Sequence, residues 1–90
     1  MKNEKTIRVE KVQTGVRMEK RIVKVLKALA DYLDMTPGDL LEGVLLHVFE
    51  GKQPFGKDTL LRIRQFKEIY GLDLDASASH RMVEKSPQRR

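Results

Sequence analysis

Thr36-Pro37-Gly38-Asp39 splits the most apolar half of this chain in two, and that break constrains the fold more than any other stretch. Thr36 is a strong N-cap, because its hydroxyl accepts from the amide three residues on, where Asp39 reaches back as a shorter-armed capping box. Pro37 fits the first helical position, where no donor is required. Upstream, Ile22, Val23, Val25, Leu26, Leu29, Ala30 and Leu33 recur with the 3.6-residue period and predict a helix from near Glu19 to about Leu33. Lys20, Lys24 and Lys27 take its polar side, and Glu19 suits the positive end of its dipole. Downstream, Leu40, Leu41, Val44, Leu45, Leu46, Val48 and Phe49 predict a second helix to about Glu50, with Gly51 as its stop. This helix is apolar around more than half its girth, which implies burial by more than its own chain. Gly43 costs about 1 kcal/mol relative to alanine inside a helix, so it points to a close approach by another backbone.

Ahead of the helices the pattern changes from a period near four to a period of two. Val12, Thr14, Val16 and Met18 fall on even positions, with Gln13, Gly15 and Arg17 on odd ones, so the two sets lie on opposite faces of a predicted strand. Ile7 and Val9 are out of phase with it. The phase change points to a bulge or a flexible arm before the strand, and the arm at residues 1–10, with Lys2, Lys5 and Arg8 and with Lys11 at its end, is the preferred reading. After Gly51, Lys52-Gln53-Pro54-Phe55-Gly56 is a turn-rich connector. Asp58 or Thr59 opens a third helix to about Tyr70, closed by Gly71, with Leu60, Ile63, Phe66, Ile69 and Tyr70 on its apolar side. The expected organisation is thus an arm at 1–10, a domain at 11–51, a connector and amphipathic helix at 52–74, and a disordered tail at 75–90, where the composition turns to Ala, Ser and charge.

Ninety residues with 40% apolar content support one thin core, and domains of this size usually rely on a staple. The chain has no cysteine, so disulfides and thiolate zinc sites are excluded, and only His47 and His80 remain as soft ligands. Oligomerisation is the staple that is left. No apolar run approaches the roughly 20 residues that span a bilayer, and Met1-Lys2-Asn3-Glu4-Lys5 leads into no apolar stretch, so a soluble, cytoplasmic chain with no membrane partner is expected. Its net charge of +5 is polarised: residues 1–35 hold nine Lys or Arg against five acids, whereas 36–50 hold none against Asp39, Glu42 and Glu50. A polyanion is expected to meet the N-terminal half.

Val16-Arg17-Met18-Glu19-Lys20-Arg21-Ile22 and Thr36-Pro37-Gly38-Asp39-Leu40-Leu41, at this spacing, resemble the ribbon-helix-helix family of DNA-binding proteins, the Arc and MetJ class. The resemblance covers Lys11 to Gly51 and implies a mainly α fold. One N-terminal strand would pair with its copy in an intermolecular antiparallel two-stranded sheet, followed by two helices and, here, an extra C-terminal helix. It also implies a homodimeric, sequence-specific regulator or repressor of transcription, with the strand pair in the major groove of double-stranded DNA. Carried over residue by residue, Gln13, Gly15 and Arg17 would read bases. Thr36, Gly38 and Asp39 with Lys20, Arg21 and Lys24 would meet phosphates. Val12, Thr14, Val16, Met18, Ile22, Leu26, Leu41, Val44, Leu45 and Val48 would form the dimer core. The chain departs from the family at Gly15, where a polar reader is common, and at Glu19, where proline is.

Bland readings stand beside these. Gln13 and Arg17 also fit a solvated strand face, Thr36 and Gly38 a plain helix cap, and Lys20, Lys24 and Lys27 a solvated helix face. His47 reads as a packing or surface residue rather than a metal ligand. No phosphate loop, no nucleophile with its base and no pocketed carboxylate pair is visible, so neither an enzyme nor a cofactor is expected. An alternative function is an antitoxin or other interaction module that binds a protein through residues 52–74. An alternative fold is a monomeric three-helix bundle with a helix-turn-helix, which predicts helix or coil at residues 12–18.

Overall fold

The computed structural model describes residues 6–85, in which three α-helices follow one another: α1 Lys20–Tyr32, α2 Pro37–Phe49 and α3 Lys57–Ile69. A single 3-10 turn, Ala76–Ala78, comes after them. Residues 1–5 of the expected arm and 86–90 of the expected tail lie outside the described residues. All three helices stop close to where local chemistry directs, and α1 and α2 also start there, whereas α3 opens after Gly56 with no side-chain cap, so neither Asp58 nor Thr59 is the residue that opens it. Thr36 Oγ1 accepts from the Asp39 amide at 3.1 Å and opens α2. Glu19 opens α1 by accepting from the Arg21 and Ile22 amides at 2.8 and 3.1 Å. All three helices end in the same left-handed reversal, at Asp34, Gly51 and Gly71, with φ of 59°, 72° and 66°. The next amide then closes back on the helix: Met35 to Ala30 O at 2.9 Å, Lys52 to His47 O at 2.8 Å and Leu72 to Lys67 O at 2.8 Å.

Helix α1 is the shared wall of the fold. It packs against both α2 and α3, and residues of all three helices meet around one buried cluster. The buried cluster is Leu29 and Ala30 of α1 with Leu40 of α2, and Leu26, Leu33, Val44, Phe55, Ile63 and Phe66 pack around it half-buried. Ala30 is 1% exposed. On the α3 side the Tyr32 and Phe66 rings meet edge to face with centroids 6.2 Å apart, and the Arg62 guanidinium lies 4.8 Å over Tyr32. Among the described residues no helix is long and apolar enough to cross a membrane.

The expected ribbon is not formed. Residues 6–19 are irregular, and among the described residues there is no strand and no backbone hydrogen bond tying 6–18 to the rest of the molecule. A strand needs a second strand to receive its amides and carbonyls, and every other long element of this chain is a helix whose own groups are already paired. The ribbon-helix-helix fold class is therefore corrected to an all-helical arrangement of three helices about α1, and coil at 12–18 is what the three-helix alternative predicted. The expected dimer-core set divides accordingly. Val12, Thr14, Val16, Met18, Leu45 and Val48 are exposed, while Ile22, Leu26, Leu41 and Val44 are half-buried within their own chain.

Two substitutions test this account of the core and the turns. Leu29→Ala should lower stability by about 3 kcal/mol, because it empties the centre of the only cluster among the described residues. Asp34→Gly should raise it by about 0.5 kcal/mol, since the left-handed conformation strains a side chain more than it strains glycine. Urea unfolding followed by circular dichroism reads both.

Candidate nucleic-acid interface

Residues 6–19 lead into α1 as an irregular segment carrying Arg8, Lys11 and Arg17, and ion pairs rather than backbone bonds hold it. Lys11 Nζ donates to Asp39 Oδ1 at 3.3 Å and to Glu42 Oε1 at 3.0 Å, which straps the segment to the first turns of α2. The bonds from Glu42 and then Asp39 push the Lys11 ammonium above its usual range, so it stays charged at physiological pH. Arg17 pairs with Glu84 from the far end of the chain. Between these contacts Gln13 and Gly15 are exposed, and Gln13 has no hydrogen-bond partner among the described residues.

At the start of α1 the charges are compensated locally. Arg21 Nε donates to Glu19 at 2.9 Å, and its Nη1 donates to the Gly71 carbonyl and to Asp73, both at 3.1 Å. Glu19 thus serves as the helix cap and as the partner of Arg21. Partial desolvation pushes the Glu19 carboxyl up, but the Arg21 side chain and the Ile22 and Arg21 amides outweigh it and hold the group below the usual carboxylate range. Beyond Arg21, Lys20, Lys24 and Lys27 are exposed and carry no ion pair among the described residues. Lys24 and Lys27 border a shallow open depression of about 570 Å³ with Asp31, Met35, Pro37 and Tyr70, so they stand near the N-terminus of α2.

The expected phosphate set is thus only partly assembled. Lys24 faces the same depression as Pro37, but Thr36 has already taken the Asp39 amide and Pro37 has none. Gly38 keeps a free amide among the described residues, and an added Cβ there would meet nothing within 4 Å. Asp39 is neutralised by Lys11 rather than left to repel an anion. Arg21, expected to be open, is half-buried and shared among three acceptors. Sequence reasoning missed Glu19 as a cap, since glutamate is not a favoured N-cap residue. It also missed the acids that reach Arg17 and Arg21 from residues 73 and 84, because no local pattern encodes a pairing across such separations. No protein-family model, curated protein or solved structure matches this chain.

The depressed Glu19 value fixes the sign of a pH effect. A carboxylate held low by folding contributes stability that is present above its unfolded value and is lost as pH falls through the folded one. Glu19→Gln keeps the cap's shape without its charge, so it should melt below the parent at pH 7. The difference should close under acid conditions, where Glu19 is itself protonated, and thermal melts at stepped pH check this.

Proposed function

We propose that two copies of this chain associate through the exposed face of α2 and bind double-stranded DNA with the irregular segment and α1, as a regulator of transcription. The observation that carries the reading is the row Lys20, Lys24 and Lys27, exposed, without an ion pair among the described residues, and continuous with a segment bearing Arg8, Gln13 and Arg17. Such a row meets phosphates, while arginine and glutamine suit the edges of guanine and adenine. Helix α2 is not the reader. Between Pro37 and Phe49 it holds no lysine or arginine to meet a phosphate, and its acids Asp39 and Glu42 are answered by Lys11. Its role is association: Leu45, Leu46, Val48 and Phe49 are exposed, Phe49 at 76%, and four buried apolar residues make a thin core for one copy. A cytoplasmic location goes with this reading.

Gly43 supplies a direct test of association. Its missing side chain faces open space in the single chain, so Gly43→Ala should stabilise an isolated helix by about 1 kcal/mol. If a second copy's backbone crosses there, the same substitution should weaken the dimer, and sedimentation reads a higher dissociation constant. For DNA, a titration of genomic and random duplexes across salt should give a steep negative slope. Replacing Lys20, Lys24 and Lys27 with alanine should flatten that slope by about 0.9 for each phosphate contact removed. Salt-insensitive binding, or none, overturns the reading.

A second reading, binding of a protein partner through residues 52–74, has its own observation. Helix α3 exposes Leu61 and Ile69 beside partly exposed Leu60 and Tyr70, although the other side of the helix already packs on α1. Co-purification of a stoichiometric partner that is lost in Leu61→Lys or Ile69→Lys supports it.

A further inference from the structure

Once α3 ends, a series of turns brings the chain back across the molecule to the residues that precede and open α1. Gly71, left-handed at φ 66°, reverses the direction. The chain beyond it carries Asp73 to within 3.1 Å of Arg21, and the Gly71 carbonyl accepts from the same guanidinium at 3.1 Å. Asp75 then caps the 3-10 turn by accepting from the Ser77 amide at 3.0 Å and from its hydroxyl, and Arg81 donates to the Ser77 carbonyl at 3.0 Å. His80, at φ 68°, reverses the chain a second time, which brings Glu84 to Arg17. Two acids more than ten residues apart in sequence therefore converge on two cations four residues apart, and those cations border the row of open lysines.

We propose that this C-terminal return, through Asp73 and Glu84, is an autoinhibitory contact that occupies Arg17 and Arg21 in place of a polyanion and must be displaced when DNA binds. The proposal rests on the nucleic-acid reading and adds its regulation. Each carboxylate presents to an arginine the oxygens that a phosphate would present, so the return segment and DNA compete for the same donors. Both carboxylates are exposed, with Glu84 and Asp73 side chains 69% and 84% accessible, so they are held weakly enough to exchange, while Arg21 itself is half-buried and keeps Glu19 as a second partner. Lys20, Lys24 and Lys27 lie outside the contact and remain open for a first encounter with DNA, after which a duplex can compete for Arg17 and Arg21. Binding is damped by this arrangement rather than abolished.

The test compares two full-length double variants that change the formal charge equally. Asp73→Asn with Glu84→Gln removes the internal partners of Arg17 and Arg21 contributed by these side chains. Asp34→Asn with Asp58→Asn neutralises two acids that carry no ion pair among the described residues. On a random-sequence duplex at fixed salt, the first variant should bind about fivefold tighter for each pair released. The second should gain much less. Equal gains from the two variants, or no gain from the first, overturn the contact as a brake while leaving DNA binding standing. Absence of binding by parent and variants alike overturns the nucleic-acid reading and this proposal with it. A second measurement reads the contact directly: the chain has no cysteine, so Val83→Cys accepts a single nitroxide label. The label should broaden the amide signals around Arg17 in the free protein, and the broadening should vanish when the duplex is added. Broadening that is absent from the free protein, or that persists at saturating duplex, overturns the proposal.

Discussion

The packing of Leu40 against Leu29 and Ala30 is the contact on which the rest of the molecule depends. Ala30 has almost no side chain, so the start of α2 can approach α1 closely, and the turn at Leu33–Thr36 aligns them. The same cluster receives Phe66 and Ile63 from α3, with Tyr32 as the aromatic anchor. One helix thereby carries both neighbours. A wall shared in this way stabilises three helices with few buried groups, and it leaves the outer faces of α2 and α3 in water. The exposure of Leu46, Phe49 and Ile69 is a direct consequence of a core that has only one centre.

Electrostatics does for the two ends of the chain what packing does for the helices. The segment before α1 has no backbone partner among the described residues, yet Lys11 reaches Asp39 and Glu42, and Arg17 reaches Glu84. Such pairs contribute little stability in water, and salt screens them further. They act as a register rather than a clamp, placing cations near α1 and leaving them exchangeable. Lys20, Lys24 and Lys27 differ, because none of them makes a direct ion pair among the described residues, although Asp31 stands in the same depression as Lys24 and Lys27. A polyanion meeting this surface would find open lysines beside arginines that already hold carboxylates.

The three helices and most of their limits are legible in the amino-acid order, because helical bonds, caps and stops are local, but the Glu19 cap of α1 and the uncapped start of α3 after Gly56 were not. Thr36 and Pro37 mark the start of α2, Gly51 and Gly71 mark reversals, and the apolar spacing of Ile22 to Leu33 marks α1; all of these act within a few residues. The alternation from Val12 to Met18 is equally visible, and it points to a strand that is not formed. Periodicity tells which face a side chain would take, and it cannot supply the second strand whose amides and carbonyls an extended segment needs. The resemblance to a ribbon-helix-helix protein rested on Val16 to Ile22 together with Thr36 to Leu41, and of the fold it implied the sheet falls and the helices stay.

The candidate site divides in the same way. Gln13, Arg17, Lys20 and Lys24 could be named from charge and position, since exposed basic residues on an amphipathic helix and its leader follow from composition along the chain. That Arg17 meets Glu84, that Arg21 holds Asp73 and the Gly71 carbonyl, and that Lys11 neutralises the first turn of α2 are matters of tertiary placement. The amino-acid order by itself determined most of the helix limits and which side of each helix is greasy, because those depend on neighbours within one or two turns. Only the folded chain decided which charges are open and which are answered, because Coulomb attraction acts through space and two reversals at Gly71 and His80 bring distant acids back to the start.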